Sequence, residues 1–250
     1  MAYRSKGRML GMFYTPGFPP GVKWLLISNV AIFLLGFFAG LLGLDRPFAF
    51  LALIPSLVVT RFFIWQLATY MFLHGGFSHI IWNMLALWMF GADLERLWGT
   101  RRFLNFYFFC GIGAAVCVVL LNYLLPNGNP DSATLGASGA IFGILLANAI
   151  LFPDRTILWG FLIPIKMKWF VLIIGTVTFI SSFAVNHGVS EFAHLGGLLF
   201  GYIFLKKPRA GYDFLGPMQR LYKQWKIQRA KRKFEVYLRK QGSNRDPWVH

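Results

Sequence analysis

Residues 135–143 read LGASGAIFG: one serine among three glycines and a set of apolar side chains, opening an apolar run that continues to Phe152. Glycine is a poor helix former, and a serine in an apolar run needs a partner for its hydroxyl. Two readings compete for Ser138. In one, small residues let helices pack closely and the hydroxyl is satisfied locally. In the other, Ser138 is a nucleophile. What the rest of the chain brings to the same depth chooses between them.

The chain has 250 residues, 56% hydrophobic and only 14% charged, whereas a soluble domain is about a quarter charged. Mean hydropathy is +0.55. This composition implies an integral membrane protein, and 27 Phe and 9 Trp supply a bundle core and interfacial anchors. The two cysteines, Cys110 and Cys117, lie in one apolar run without a CxxC pattern, which points to packing rather than a disulfide or a metal site. Arg4, Lys6 and Arg8 precede a Pro/Gly-rich linker and then the apolar run 22–42. That run exceeds the apolar core of a secretory signal and reads as a first span. A mitochondrial address is the lesser alternative.

A span needs about 20 mainly apolar residues. Six segments qualify: 22–42, 77–97, 102–125, 136–152, 168–186 and 190–206. The apolar run 47–60 is shorter, contains Pro47 and Pro55, and is bracketed by Arg46 and Arg61, which fits an interfacial or re-entrant segment. With the N-terminus in the cytoplasm, 23 of the 25 Lys and Arg residues fall on the cytoplasmic side. Only Arg46 and Arg61 fall outside. The expected fold is all-α, a polytopic membrane bundle of six transmembrane helices with both termini cytoplasmic. It divides into an N-terminal segment 1–21, a membrane domain 22–206 and a basic tail 207–250. In the tail, Met218, Leu221, Tyr222, Trp225, Phe234, Tyr237 and Leu238 recur at roughly helical spacing among basic residues. An amphipathic helix of this kind suits an anionic inner leaflet rather than nucleic acid. The net charge of +16 is thus explained by sidedness.

Polar residues within spans are costly and usually functional. Spans two, four and six all enter from outside, which places His79 and Asn83, Ser138, and His194 at one depth. His79 and Asn83 share a helix face at i and i+4. His194, Gly197 and Gly201 form one stripe, and Gly139 and Gly143 form a GxxxG. If the two small-residue stripes meet, Ser138 comes within reach of His194. A serine hydroxyl is a weak nucleophile until a base takes its proton, and His194 is the candidate base in span six. Acyl transfer also needs donors for an oxyanion: the His79 ring, the Asn83 amide and the Ser138 backbone N–H at a helix N-terminus. His74, Ser78, Ser181, Ser182, Asn186 and His187 are available to wet a cavity on that side. Glu191 precedes His194 by one turn and reads as a solvated interfacial carboxylate, which leaves a Ser–His dyad. No metal motif is present, His74 and His79 being poorly spaced for one helical metal face.

Taken together, His79-x-x-x-Asn83, Gly136-x-Ser138-Gly139 and Ala193-His194-x-x-Gly197-x-x-x-Gly201, in this order on three spans, resemble the rhomboid family of intramembrane serine proteases. The resemblance covers about residues 22–206. It implies a rhomboid-like bundle of the bacterial six-span type in a bacterial cell membrane, with Ser138 as nucleophile and His194 as base. It also implies an oxyanion hole from His79, Asn83 and the Ser138 N–H. Gly136, Gly139, Phe142, Gly197, Gly201 and His74 would be supporting residues. Substrates would be single-span membrane proteins, and no cofactor is implied. Residues 45–76 resemble the family's membrane-embedded first loop, and span five with its outer loop resembles its substrate gate and cap. Two positions depart from the bacterial pattern: Trp65-Gln66 stands where many members carry Trp-Arg, and Phe142 where many carry Tyr. The alternatives from other classes are a non-catalytic client-binding protein of the same fold and a small transporter. Against the transporter, no paired broken helices or inverted repeat are evident.

Overall fold

The computed structural model describes residues 18–44, 46–126, 128–160, 162–182 and 190–206, together with 222, 224–232 and 234 of the tail. The expectations attached to Arg4, Lys6, Arg8, Asn186, His187, Met218, Leu221, Tyr237 and Leu238 lie outside those residues. The chain divides into two compact units, Met1–Gly211 and Tyr212–His250. In the second, the described residues are helical, Tyr222 stacks on Trp225, and the Arg229 guanidinium lies over the Trp225 ring at 5.2 Å.

The first unit opens with α1 (Pro20–Leu41), whose first residue is a proline, as suits a position with no intrahelical N–H bond. Three short helices follow, α2 (Arg46–Ala49), α3 (Pro55–Arg61) and α4 (Gln66–Thr69), and then a 3-10 turn, Tyr70–Phe72. Run 47–60 is therefore not one helix. It breaks at a backbone bridge between Leu53 and Thr134, in keeping with a segment that does not span. Next, α5 (Phe77–Ala86) passes through a π-helical turn (Leu87–Gly91) into α6 (Ala92–Trp98). The longest helix is α7 (Thr100–Leu124), and α8 (Ser138–Leu151) begins on the serine itself. After a β-hairpin come α9 (Met167–Ser181) and α10 (Ser190–Lys206).

The core is the mutual packing of α7, α8 and α10. Small residues permit it. A Cβ at Gly197 would collide with the Gly139 carbonyl oxygen, and one at Gly201 would lie 3.0 Å from Gly143 Cα. Gly196 backs onto Ala114 and Cys117, and Gly143 onto Cys110. The two cysteines are free thiols, Cys110 buried and Cys117 half-buried. The two glycine stripes therefore meet as their spacing predicts.

Around this core the surface is apolar. Helix α1 buries only Gly21, Val22, Leu25 and Asn29, and Leu35, Phe38 and Leu41 are largely exposed. A helix at the centre of a soluble protein would be mostly covered, so this surface calls for an apolar solvent. Helices α1 and α7 are each long and apolar enough to cross a membrane; α8 and α9 are apolar and shorter. The 14 residues of α8 rise about 21 Å, against a hydrocarbon core of about 30 Å.

Polar side chains tie the helix ends. Buried Glu95 accepts the N–H groups of Gly21 and Val22, both at 2.7 Å, and the Thr100 hydroxyl at 2.6 Å. It thereby caps α1, whose own sequence offers no capping side chain. Asp93 pairs with Arg96 and with Arg155. One end of the bundle thus gathers the start of α1, the end of α6 and the α8–α9 connection.

The expectation of an all-α chain is corrected in that connection. Residues 156–159 and 163–166 form an antiparallel hairpin, β1 (Thr156–Trp159) and β2 (Ile163–Lys166), with Thr156 opposite Lys166 and Trp159 opposite Ile163. The physical reason is local. Pro153 and Pro164 oppose helix, the β-branched residues Thr156, Ile157, Ile163 and Ile165 favour strand, and Gly160 takes a φ of +61° at the turn.

Candidate active site

The N-termini of α5, α8 and α10 meet at the opposite end. There His194 Nε2 lies 2.8 Å from Ser138 Oγ. The Phe142 ring, one turn along α8 from Ser138, lies parallel to the His194 imidazole, with centroids 4.2 Å apart and planes inclined by 6°. The missing phenolic hydroxyl therefore leaves the stack intact. Beneath the pair, the Gly139–Gly197 approach sets how near α10 stands to α8. The buried Tyr70 hydroxyl completes the floor, donating to the Gly111 carbonyl at 2.8 Å and lying 3.3 Å from where a Gly139 side chain would begin.

Ser138 is the first residue of α8, preceded by Ala137, which carries no capping side chain. The first intrahelical bond runs from Ile141 N–H to Ala137 O, so the Ser138 amide has no intrahelical acceptor and sits at the positive end of the helix dipole. Gly136 adopts a φ of +115°, and a Cβ there would lie 2.7 Å from His79 Nε2. Only glycine meets both demands. Its own N–H donates to Tyr70 O at 2.9 Å, and Thr134 and Leu53 exchange backbone bonds, which fastens the strand leading into Ser138 to the first loop.

His79 approaches this strand edge-on. The Gly75 N–H donates to its Nδ1 at 3.4 Å, which makes Nδ1 the acceptor and leaves the neutral ring's proton on Nε2. That is the atom facing Gly136. Asn83 lies one turn along α5 from His79. Its amide donates to the His79 carbonyl of its own helix at 2.8 Å; a carboxamide has a second N–H, and that one remains for a ligand. The His74 ring meets His79 edge to face at 5.1 Å. Burial pushes the His74 pKa down to about 4, and the neighbouring His79 adds to the shift. Glu191 lies in the first turn of α10. Among the described residues, no group of three His, Cys, Asp or Glu side chains is placed to hold a metal ion.

A cavity of about 600 Å³ opens beside the site between α1, the first loop and Leu135. Its walls include Phe33, Phe37, Phe48 and Leu73, with His74 as the one ionisable side chain. Of the residues expected to wet the site, Ser78 is exposed, and Ser181 and Ser182 are half-buried. The first loop is held by the residue that departs from the bacterial pattern. Gln66 is fully buried, accepts the Ile54 N–H at 3.0 Å and donates to Phe50 O at 3.2 Å. Trp65 Nε1 donates to the same carbonyl at 3.0 Å. Glutamine thus does by two neutral hydrogen bonds what the loop needs at that position.

Two further buried polar residues hold the helices that carry the site. Glu95 is one. The other is Asn148, whose amide donates to Phe90 O in the π turn at 3.1 Å and to Ile144 O at 2.9 Å. A polar residue in an apolar helix was the available signal for both.

A family model described as the Rhomboid domain matches residues 61–207. Among curated proteins, RHOMBOID-like protein 1 of Arabidopsis thaliana is 34% identical over 166 residues, 64% of this chain and 40% of that one. Rhomboid protease GluP of Bacillus subtilis is 35% identical over 150 residues, 59% of this chain and 27% of that one. Rhomboid protein 1, mitochondrial, of Saccharomyces cerevisiae is 33% identical over 138 residues, 53% of this chain and 38% of that one. The chain therefore matches less than half the length of each.

Proposed function

Because this chain belongs to the rhomboid family, we propose that it is an intramembrane serine endopeptidase that cuts single-span membrane proteins in or near their transmembrane segment, with Ser138 and His194 as a catalytic dyad. The observation that carries the proposal is the 2.8 Å contact between His194 Nε2 and Ser138 Oγ, within hydrogen-bond reach for general-base activation.

The reaction proceeds in two halves. Ser138 Oγ attacks the scissile carbonyl carbon while His194 Nε2 takes its proton. The imidazolium then gives that proton to the leaving amide nitrogen, and an acyl-enzyme ester remains on Ser138. A water, deprotonated by His194, attacks the ester, and the carboxylate product departs as Oγ regains its proton. In both halves charge develops on the carbonyl oxygen. The Ser138 N–H, His79 Nε2–H and the second N–H of Asn83 serve as its donors. The chemistry calls for no cofactor or metal.

The membrane frame belongs to the same reading. Six spans, with both termini in the cytoplasm of a bacterial cell, agree with the distribution of Lys and Arg. The short α8 and α9 are accommodated by local thinning and by the non-helical residues at their ends. The domain limits 22–206 and 207–250, and attachment of the basic tail to anionic lipid, are part of the proposal too; Arg229 and Trp225 give the tail a cation–aromatic face suited to an interface.

The test is cleavage of a single-span substrate, and labelling by a fluorophosphonate, with purified wild type beside Ser138→Ala and His194→Ala. Loss of both signals in both variants is expected. A wild type that binds the substrate span yet neither labels nor cleaves would leave a client-binding protein and return Ser138 to packing.

A further inference from the structure

The hairpin of β1 and β2 has an unusual composition. Residues 157–165 read ILWGFLIPI without one polar side chain. A hairpin lying on a water-exposed surface alternates apolar and polar residues, one face in and one face out. Here Ile157 is buried, while Leu158, Trp159 and Ile163 are each about half exposed and Leu162 is 85% exposed. The protein covers one face only and leaves the other face and the tip bare.

The base of the hairpin is the opposite in character. Lys166 and Lys168 both reach Asp154, at 3.3 and 2.9 Å, and Arg155 pairs with Asp93. These five groups, with Arg96, form a charged collar with excess positive charge around an apolar projection. The collar sits where α8 ends and α9 begins, so it marks one boundary of the apolar helices. Trp169, in the first turn of α9, is also exposed at this level.

We propose that the hairpin is a membrane-interface anchor, its tip seated at the headgroup–acyl boundary of the bilayer leaflet on its own side and its collar meeting lipid phosphates. Depth follows from geometry. Three residue steps separate Lys166 from Ile163, a reach of about 10 Å, which matches the burial of interfacial elements, about 5–10 Å. Among the described residues the sheet has two strands, so each strand has an edge without a neighbouring strand, and the hydrocarbon centre is closed to such edges. Trp159 and Trp169 occupy the level that tryptophan prefers. A protein partner fits less well: four side chains on a two-stranded ribbon fall far short of the roughly 800 Å² per partner that a stable interface buries.

The anchor acts on α9. Met167 N–H bonds to Arg155 O and Lys168 N–H to Pro153 O, so the hairpin base and the first turn of α9 move together. Helix α9 buries only Met167, Val171 and Thr178 and needs an external reference for its height.

The inference rests on the membrane reading above, and its test separates the two. Full-length protein with Cys110→Ala and Cys117→Ala carries a nitroxide at Leu162→Cys, at Leu35→Cys on α1, or at Asp131→Cys in the loop before α8, in vesicles of phosphatidylethanolamine and phosphatidylglycerol. Collision rates with oxygen and with a water-soluble nickel chelate are compared. The ratio of oxygen to nickel collisions at Leu162 is expected to be several-fold above that at Asp131 and below that at Leu35. A Leu162 ratio equal to that at Asp131, with Leu35 still reading lipid, overturns the anchor alone. Shielding of Leu162 from both reagents overturns it in favour of a protein contact. An aqueous reading at Leu35 would sink the membrane reading itself.

Discussion

Two helices deliver side chains to Ser138, and they do so by unlike means. Helix α10 meets α8 backbone to backbone through Gly139, Gly143, Gly197 and Gly201, so the Ser138–His194 separation is fixed by contacts that cannot shorten. Helix α5 delivers His79 only at its tip, against Gly136, and is interrupted below by the π turn Leu87–Gly91. The proposed nucleophile and base are thus set by a seam without slack. The proposed oxyanion donors His79 and Asn83 are set by a helix whose lower half is held through Asn148 and Glu95. Proton transfer is intolerant of separation, whereas donors to a developing charge work best when aimed and backed.

Breaking the seam gives the largest effect. Gly197→Leu drives a side chain into the Gly139 carbonyl, and overpacking of a tight core costs about 1–3 kcal/mol or more. Cleavage and fluorophosphonate labelling are expected to vanish together, with a clear fall in Tm. Retained labelling would show that α10 has slack after all. Gly136→Ala attacks the other arrangement, through its φ of +115° and the collision with His79 Nε2. The Ser138–His194 contact should survive, while kcat drops about 10²–10³-fold, as for loss of one oxyanion donor, with KM little changed.

A third variant, Asn148→Leu, removes the donor to Phe90 O. An unsatisfied buried carbonyl costs about 1–3 kcal/mol, read as a lower midpoint in thermal or denaturant unfolding, and catalysis should suffer only as far as His79 is displaced. Phe142→Leu sharpens the comparison from the rigid side. Loss of the stacked ring is worth about 0.5–1.5 kcal/mol, so kcat/KM should fall roughly threefold to tenfold, and Phe142→Tyr should sit near wild type.

The smallest effect is a pH dependence. His74 has a folded pKa of about 4 against 6.5 for the free side chain. Its contribution to stability is therefore complete above about pH 6.5 and is lost as the pH falls from there to about 4, because the unfolded chain binds the proton more readily. Tm should decline across that window, and His74→Phe should flatten the decline.

Much of the site was legible because depth and small-residue spacing are one-dimensional properties. Ser138 and His194 each lie at the start of a helix entering from the same end, and Gly139 and Gly197 permit contact. What escaped needed a third dimension or a partner far along the chain. Glu95 is visibly an acid in an apolar helix, but nothing nearby says that it caps Gly21 and Val22. Asn148 finds its acceptor, the Phe90 carbonyl, 58 positions back along the chain. The sequence could not show that one Asn83 N–H would be bonded to His79 O, which leaves its other N–H for the proposed role. The hairpin escaped for another reason: a short apolar run has no period that separates strand from buried helix, and Pro153, Gly160 and Pro164 read only as breaks. Gln66 could be seen as a departure, though not that its two ends would suit Ile54 N–H and Phe50 O.

The Glu95 cap also orders events during synthesis. The carboxylate that satisfies Gly21 and Val22 lies 74 positions downstream of the first of them. Helix α1 is therefore made before its cap exists, and until then its leading amides bond to water or lipid headgroups. It acquires its permanent cap only when α6 has been made. Between the synthesis of α1 and that of α6 the start of α1 lacks its side-chain cap, and that interval ends with the arrival of a single acidic side chain.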